Sequence, residues 1–214
     1  MLRSAGAIRR ISTMPESLRE PTLDEQTDAR EAALKKAAAA SEAEPTISED
    51  LRSVVEANGG RLERFGSRLK TVGSLIRKIL KTIVEDDTTA DEAASEIGDA
   101  IRYTVVLDEQ AYWANGTRII EALQKAGYTL DEASPGWKRF GYKGRNVKFV
   151  TPNGQQFEVQ IHTQASLDAA EKCHPLYEEW RLTSTTPERK AELTSLQERI
   201  FAAVPVPDDV ELVD

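Results

Sequence analysis

Apolar residues recur along the chain at the two spacings that distinguish helices from strands. One group has the roughly 3.6-residue spacing of a helix face: Leu75, Ile76, Ile79, Leu80 and Ile83. Ser74 precedes this group and is a residue type that caps helix N-termini, so it is the predicted N-cap. In the run 155–162, apolar Phe157, Val159 and Ile161 alternate with polar residues, which predicts a strand with one core face and one polar face.

Five further helices are expected from apolar spacing, propensity and capping residues. They are an Ala-rich helix over 23–43, a helix that follows Ser48 as N-cap, helices over 117–126 and 166–182, and a last helix that begins at Thr186-Pro187. Glycines after residues 58 and 126 end the second and third of these helices. The last helix is expected to turn four apolar residues inward: Leu193, Leu196, Ile200 and Val204.

Two more runs have strand character. Residues 101–107 are rich in β-branched and aromatic side chains, and residues 146–151 are joined to 155–162 by Pro152-Asn153-Gly154, which indicates a hairpin. A hairpin, a central strand and flanking helices together predict an α+β fold, with a mixed β-sheet flanked by helices.

The domain boundaries follow from the composition of each segment. Residues 1–22 contain two prolines among small and charged residues and are expected to form a disordered tail. Residues 23–47 are expected to form an Ala-rich helical extension, residues 48–205 the domain itself, and residues 206–214 a second tail.

The composition excludes several classes of protein. Charged residues make up 30% of the chain, hydrophobic residues make up 40%, and no run of about 18 apolar residues could span a membrane. The formal net charge of −8 argues against general binding to nucleic acid, which usually needs a basic surface. Cys173 is the only cysteine, so neither an intramolecular disulfide nor a CxxC zinc site can form.

A basic block interrupts this acidic chain between residues 61 and 81. Within it, Arg68, Lys70, Ser74 and Lys78 stand as R-x-K-x-x-x-S-x-x-x-K. Cations gathered at a helix start, where backbone N–H groups are free, can hold clustered phosphates. A solvated basic face on an amphipathic helix would show the same spacing.

Candidate acidic residues lie close to the predicted strands. Glu158 and Gln160 point to the same side of one strand, and Asp99 precedes the strand that contains Arg102. A carboxylate in such a place can bind Mg²⁺ or take a proton from a hydroxyl group. A solvent-facing strand, or an aspartate in a turn, would give the same pattern.

The loop over 137–144 mixes glycines, aromatic residues and cations. Tyr142 can stack on a purine while Lys138 and Lys143 meet its phosphates, although an ordinary surface loop with one anchoring aromatic fits equally well. His174 and Tyr177, at positions i and i+3 of a late helix, are either ligand contacts or a packed polar pair. The chain has no GxxxxGK[ST] motif, so a Walker-type phosphate loop is excluded.

Four of these elements, in this order, resemble the synthetase domain of the RelA/SpoT family. They are Arg68-x-Lys70-x-x-x-Ser74-x-x-x-Lys78, the strand start Ile101-Arg102, Lys138-x-x-Gly141-Tyr142, and the run 158–163, EVQIHT. The resemblance covers residues 48–181 and implies a nucleotidyltransferase-like synthetase fold. It also implies an enzyme of the stringent response, which makes alarmones by transferring pyrophosphate from ATP to a nucleotide.

The resemblance assigns the ATP phosphates to four residues of the basic block: Arg68, Lys70, Ser74 and Lys78. It implies that Arg102 and Lys138 steady charge on the nucleotides. Asp99 and Glu158 are expected to bind Mg²⁺, the implied cofactor.

On the acceptor side, the resemblance implies that Tyr142 stacks on the base, with Lys138, Lys143 and His174 nearby. Glu158 is expected to activate the acceptor 3′-hydroxyl, supported by Gln160.

Three positions depart from the family pattern. The family's metal-binding aspartate lies five residues before the strand arginine, where this chain has Ile97, while Asp99 stands two residues later. In an extended segment a two-residue shift keeps a side chain on the same face, so Asp99 would still reach the metal; in a helix it would not. Asn146 and His162 stand where the family commonly has a histidine and an arginine, so the identity of the acceptor stays open.

The sequence therefore predicts an ATP-dependent nucleotide 3′-pyrophosphokinase that makes products of the (p)ppGpp or (p)ppApp type. Its expected partners are ATP and a purine nucleotide, with no membrane, and oligomer formation is left open. One alternative is a toxin that pyrophosphorylates tRNA, and the other is a non-catalytic nucleotide-binding module. The expected location is the cytoplasm, with a delivered or secreted effector as the alternative.

Overall fold

The computed structural model describes residues 19–134 and 137–212. Over these residues the chain is α+β, with one five-stranded mixed sheet flanked by helices, as the sequence predicted. The elements are α1 Leu23–Ala57, β1 Arg61–Glu63, α2 Val72–Asp86, α3 Ala90–Ser95, β2 Arg102–Val106, α4 Tyr112–Lys125, β3 Thr129–Ala133, β4 Arg145–Val150, β5 Gln156–His162, α5 Gln164–Trp180 and α6 Pro187–Ala202.

The strands are ordered β1-β2-β5-β4-β3 across the sheet. The central pair, β2 and β5, is parallel, and the other pairs are antiparallel. In the central register Arg102 lies beside Glu158, and Thr104 lies beside Gln160. The pairing therefore brings together residues that are distant in sequence and that were separately assigned to the site.

The apolar face of β5 lies in the core, as its alternation predicted. Phe157, Val159 and Ile161 are all buried. The hairpin of β4 and β5, the strand β2, and the helices α4, α5 and α6 also confirm the sequence predictions within a few residues of the expected bounds. No helix of the described residues has both the length and the apolar character needed to cross a bilayer.

Helix α1 is continuous over 35 residues, so the prediction of two helices with Ser48 as a second N-cap is wrong. Thr22 caps α1, and its side chain and that of Glu25 form a reciprocal capping box. Ser48 is buried inside the helix, where its hydroxyl hydrogen-bonds the Glu44 carboxylate and lies 3.0 Å from the Tyr103 hydroxyl. Pro45 is also accommodated inside α1, and apolar residues on both sides of it enter the same core.

The N-cap of α2 is Thr71 rather than Ser74, which corrects a second prediction. The Thr71 side chain accepts a hydrogen bond from the Ser74 backbone N–H at 3.3 Å. Ser74 therefore lies in the first turn of α2, where it is three residues beyond the cap.

Candidate active site

A cavity of about 810 Å³ opens beside the polar face of β5. Glu158 and Gln160 of β5, Arg102 of β2 and Asp99 all line it, and α5 and α6 supply another wall. The structure therefore brings together the four residues on which the predicted metal and proton chemistry depends.

Asp99 lies in the turn before β2 and forms ion pairs with two lysines of the basic block. Lys70 Nζ donates to Asp99 Oδ2 at 2.7 Å, and Lys78 Nζ donates to Oδ1 at 2.9 Å. Burial by itself would raise the pKa of Asp99, but the hydrogen bonds from the two lysines outweigh it and hold that pKa at about 2. Asp99 is therefore a stable anion at neutral pH, despite its displacement by two residues from the family position.

Glu158 is in the opposite electrostatic situation. Glu158 is only 9% exposed. This burial is the main cause of its raised pKa, and the nearby charge of Asp99 is the second. Arg102 opposes this rise, and Gln160 Nε2 donates to Glu158 Oε1 at 2.8 Å. A carboxylate with a raised pKa that is held by a neighbouring amide is suited to accept a proton.

These two carboxylates also fit a magnesium ion. Mg²⁺ is commonly bound through one or two carboxylates, with water and substrate phosphates completing its coordination. Among the described residues no cluster of three or more acidic, histidine or cysteine side chains could hold a metal. Asp99 and Glu158 line one cavity, the charge of Asp99 raises the pKa of Glu158, and a divalent cation held by both would offset their negative charge.

None of the four residues of the basic motif lines the cavity, although Lys70 and Lys78 bind Asp99, which does. Arg68 hydrogen-bonds the carboxylate of Glu44 in α1, and its guanidinium carbon lies 4.0 Å from the centroid of the Phe65 ring. The Ser74 hydroxyl accepts hydrogen bonds from Thr71 and Arg77 at 3.0 Å each. Arg64, from the same basic block, does line the cavity.

Tyr142 lines the cavity, but it is tied into a polar network. Its hydroxyl donates to Asn146 Oδ1 at 3.0 Å and lies 2.9 Å from His162 Nε2, and His162 Nδ1 lies 2.9 Å from Ser166 Oγ. The Tyr142 and His162 rings meet edge to face, with centroids 5.6 Å apart. Burial, and then the charge of Arg64, lowers the pKa of His162 to about 4, so its ring is neutral at neutral pH.

Gly144 makes this contact sterically feasible. A Cβ atom at Gly144 would lie 2.8 Å from His162 Cε1 and 3.0 Å from the Tyr142 hydroxyl oxygen. Its φ of +154° also lies in a region that favours glycine. Two of the three departures from the family pattern, Asn146 and His162, both contact the Tyr142 hydroxyl.

Lys143, which was expected at the acceptor site, does not line the cavity. Lys143 is 3% exposed, and its ammonium group donates to the backbone carbonyls of Lys138 and Arg139, the latter at 3.1 Å. It therefore fastens the loop from within and faces away from the cavity. The Lys138 side chain is exposed and does not line the cavity, so the structure does not bring it to the other site residues.

His174 does line the cavity, on the wall that α5 and α6 form. The same wall includes Tyr177, which was left open as a ligand contact, and Trp180, Glu198 and Phe201, which sequence reasoning did not assign to the site. The spacing of Tyr177 and Trp180 places them on one face of α5 and was the available signal. Nothing in the sequence indicated that α6 would contribute to the same cavity.

The sequence matches no family model and no curated protein. Solved structures do match. The Type VI effector Tas1, in complex with its immunity protein, is 19% identical with a TM-score of 0.52, over 82% of this chain and 96% of that one. A GTP pyrophosphokinase family protein from Streptococcus pneumoniae is 16% identical with a TM-score of 0.50, over 85% and 89%. Small alarmone synthetase 2 from Bacillus subtilis is 14% identical with a TM-score of 0.50, over 80% of this chain and 91% of that one.

The chain therefore has the fold of the small alarmone synthetases and the GTP pyrophosphokinase family, as its resemblance to RelA/SpoT synthetase domains predicted.

Proposed function

We propose that this protein transfers a pyrophosphoryl group from ATP to the 3′-hydroxyl of a purine nucleotide. The observation that carries the proposal is the pair Asp99 and Glu158 in one cavity, with Lys70 and Lys78 on the first and Gln160 on the second. The pair lies in a fold shared with GTP pyrophosphokinase family proteins.

In this reaction the acceptor 3′-oxygen attacks the β-phosphorus of ATP. A bond forms between that oxygen and the β-phosphorus, the bond from the β-phosphorus to the α,β-bridging oxygen breaks, and AMP leaves. Glu158 takes the proton of the 3′-hydroxyl as the general base. Gln160 holds the Glu158 carboxylate through the 2.8 Å hydrogen bond.

Asp99 and Glu158 would together hold Mg²⁺, which supplies charge neutralisation at the phosphates when bound. Transfer of this kind depends mainly on alignment and on neutralised phosphate charge, so few protein groups are needed for the chemistry itself.

The cations near Asp99 provide that neutralisation on the protein side. Lys70 and Lys78 are held within hydrogen-bonding distance of Asp99, one of the two carboxylates that would hold Mg²⁺. Arg102, in register with Glu158, lines the same cavity. Arg68 and Ser74 would join the ATP phosphates only after leaving their present partners.

A toxin that acts on tRNA is the second candidate, and the likeness in fold to a Type VI effector favours it. An enzyme that follows an RNA backbone needs unpaired cations along its surface. Several cations of the basic block are instead paired with acids, such as Arg61 with Glu63 and Lys81 with Glu85, in a chain of net charge −8. A mononucleotide acceptor therefore fits this surface better. The protein would act in the cytoplasm, either of its own cell or of a cell to which it is delivered.

The proposal is tested by incubating the protein with γ-labelled ATP, Mg²⁺ and one acceptor at a time: AMP, ADP, GDP, GTP or tRNA. We expect label to move to a purine mononucleotide, and we expect Glu158→Gln to lower the rate by roughly 100-fold or more. Glu121→Gln, an exposed position on α4, is the matched control and should transfer label at the wild-type rate. Label on tRNA alone would favour the toxin, and no transfer to any acceptor would favour a non-catalytic module.

A further inference from the structure

A row of charged side chains crosses the sheet at the level of Glu158. Glu158 of β5 is in register with Arg102 of β2 on one side and with Lys148 of β4 on the other. Lys148 is in turn in register with Glu132 of the edge strand β3. Residues that pair across neighbouring strands project from the same face of a sheet. The row therefore alternates in sign on the face that carries the proposed site: Arg102, Glu158, Lys148 and Glu132.

Lys148 is a cation close to the site to which no motif of the sequence assigned a role. Its aliphatic stem crosses Gly98, the residue before Asp99, because a Cβ atom on Gly98 would lie 3.3 Å from Lys148 Cδ and 3.7 Å from its Cε. The hydrogen bond to Glu132 is the main cause that raises the pKa of Lys148, and the charge of Glu158 adds to it. Lys148 is therefore near both carboxylates that would hold Mg²⁺.

The present partner of Lys148 is an exposed carboxylate. Lys148 Nζ donates to Glu132 Oε2 at 2.6 Å, and the Glu132 side chain is 63% exposed. An ion pair in contact with water contributes little to stability, so separating its members costs little. A nucleoside triphosphate carries several negative charges and forms strong charge-assisted hydrogen bonds with an ammonium group. Phosphate can therefore replace Glu132 as the partner of Lys148.

The position of Lys148 beside Glu158 indicates which phosphates it would meet. In the proposed reaction Glu158 takes the proton of the 3′-hydroxyl, and the oxygen of that hydroxyl attacks the β-phosphorus of ATP. The β- and γ-phosphates, which are the group transferred, must therefore come close to Glu158. A cation in register with Glu158 is placed to neutralise charge on this group.

We propose that Lys148 binds the β- and γ-phosphates of ATP, and that it exchanges Glu132 for them when ATP binds. The assignment of Lys148 to the transferred group rests on the proposed function. Lys148 would act from β4, whereas Lys70 and Lys78 reach Asp99 from the start of α2 and from α2 itself. Glu132 then competes with ATP for Lys148 and lowers the affinity of the free protein for ATP.

The test measures binding of nucleotides to the intact protein by equilibrium dialysis, with Mg²⁺ and without an acceptor. The probe is labelled ATP with a methylene group in place of the α,β-bridging oxygen, which blocks cleavage at the bond that the reaction breaks. Labelled AMP is the control ligand, because it lacks the β- and γ-phosphates. Lys148→Gln should weaken binding of the ATP analogue roughly tenfold, the scale of one lost hydrogen bond between charged groups, and leave AMP binding unchanged. Lys148→Arg, which keeps the charge, should retain most of the affinity.

Glu132→Gln separates phosphate binding from support of the sheet. Lys148→Gln and Glu132→Gln remove the same ion pair, so a role limited to holding β3 against β4 would make the two variants behave alike. We expect opposite effects, because Glu132→Gln frees Lys148 from a competing carboxylate and should tighten binding of the ATP analogue about two- to threefold. Lys125→Gln and Glu121→Gln, exposed positions on α4 outside the cavity lining, remove the same charges elsewhere and should leave binding unchanged.

Unchanged binding of the ATP analogue in Lys148→Gln, or an equal loss of analogue and AMP binding, would overturn the inference. Unchanged or weaker binding in Glu132→Gln would overturn the exchange of partners. The failures of the two proposals are distinguishable. Weaker analogue binding in Lys148→Gln, together with a wild type that transfers label to no acceptor, would contradict only the proposed function. Transfer by the wild type, with an unchanged KM for ATP in Lys148→Gln, would contradict only this inference.

Discussion

Two carboxylates of one cavity have pKa values that their surroundings move in opposite directions. Lysines hold Asp99 as an anion, while burial and the charge of Asp99 make Glu158 easier to protonate. Such a divergence is a common way to assign different tasks to chemically similar groups. It supports Asp99 as a fixed charge and Glu158 as the proton acceptor.

His162 gives a prediction about the pH dependence of stability. In the folded protein its pKa is about 4, against an ordinary value of 6.5, so the unfolded chain takes up a proton first as the pH falls. The neutral buried ring therefore stabilises the fold fully above pH 6.5, and this contribution, on the order of 3 kcal/mol, is lost as the pH falls towards 4. We expect the free energy of unfolding to fall less steeply over this range in His162→Gln, as measured by urea denaturation.

The His174→Gln protein keeps His162 and should retain the wild-type pH dependence. An identical slope in the wild type and in His162→Gln would show that the imidazole is not held neutral by its burial.

Gly144 gives a prediction about the polar network around Tyr142. In Gly144→Ala the new methyl group would meet His162 Cε1 at 2.8 Å, so the His162 and Tyr142 side chains must separate. We expect a loss of about 1–3 kcal/mol in the free energy of unfolding. Gly127→Ala is the matched control, because Gly127 has a φ of +100° but nothing within 4 Å of the added Cβ. Equal losses in both variants would mean that backbone strain, rather than the contact with His162, is responsible.

At the scale of elements, α1 does more than extend the domain at its N-terminal end. Its buried Glu44 holds Arg68, and its Ser48 lies against Tyr103 of β2, so the helix is linked to both the basic block and the sheet. Since Arg68 is a proposed ATP ligand, α1 sets where that guanidinium lies before ATP binds.

Glu44→Gln tests this role of α1. The substitution removes the charge that faces Arg68, and we expect a loss of about 1–3 kcal/mol in the free energy of unfolding, because a buried charge-assisted hydrogen bond is weakened. Glu42→Gln, an exposed position two residues earlier on the same helix, should be close to neutral. Thermal unfolding of both variants measures the difference, and equal melting temperatures would show that the ion pair adds no stability.

The central strands and most helices could be predicted from the sequence, because their apolar spacing is strong. β1 and β3 could not: both lie at the edges of the sheet, β1 is only three residues long, and β3 is mostly exposed and has an irregular register with β4. An edge strand with two exposed faces has no apolar alternation to detect. The predicted division of α1 into two helices before Ser48 is wrong, because tertiary packing on both sides of Pro45 outweighs the local cost of the proline.

The candidate site was predictable where residues come from one strand or one motif. Strand alternation placed Glu158 and Gln160 on one face, and the structure brings both to the cavity that Asp99 also lines. The burial of Lys143 could not be predicted, because sequence does not show whether a loop lysine points to solvent or to backbone carbonyls. Tyr177 and Trp180 share one face of α5 by their spacing, but their place in the cavity depends on the packing of α5 against α6, which no local pattern encodes.

For the whole molecule, the charge distribution favours a nucleotide substrate over an RNA substrate. The chain is acidic overall, and Lys70 and Lys78, which the motif assigns to phosphate, both bind one half-buried aspartate, Asp99. Cations concentrated beside two carboxylates suit a compact nucleotide with its metal ion better than an extended polyanion.

The most direct test of the central claim is the identity of the leaving group, followed by ³¹P NMR of a reaction with ATP, Mg²⁺ and GDP. Pyrophosphoryl transfer at Asp99 and Glu158 requires one AMP for each nucleotide that gains a 3′-pyrophosphate, and both signals should vanish in Glu158→Gln. Formation of ADP in place of AMP, or AMP and product at wild-type rates in Glu158→Gln, would contradict the assignment of this cavity.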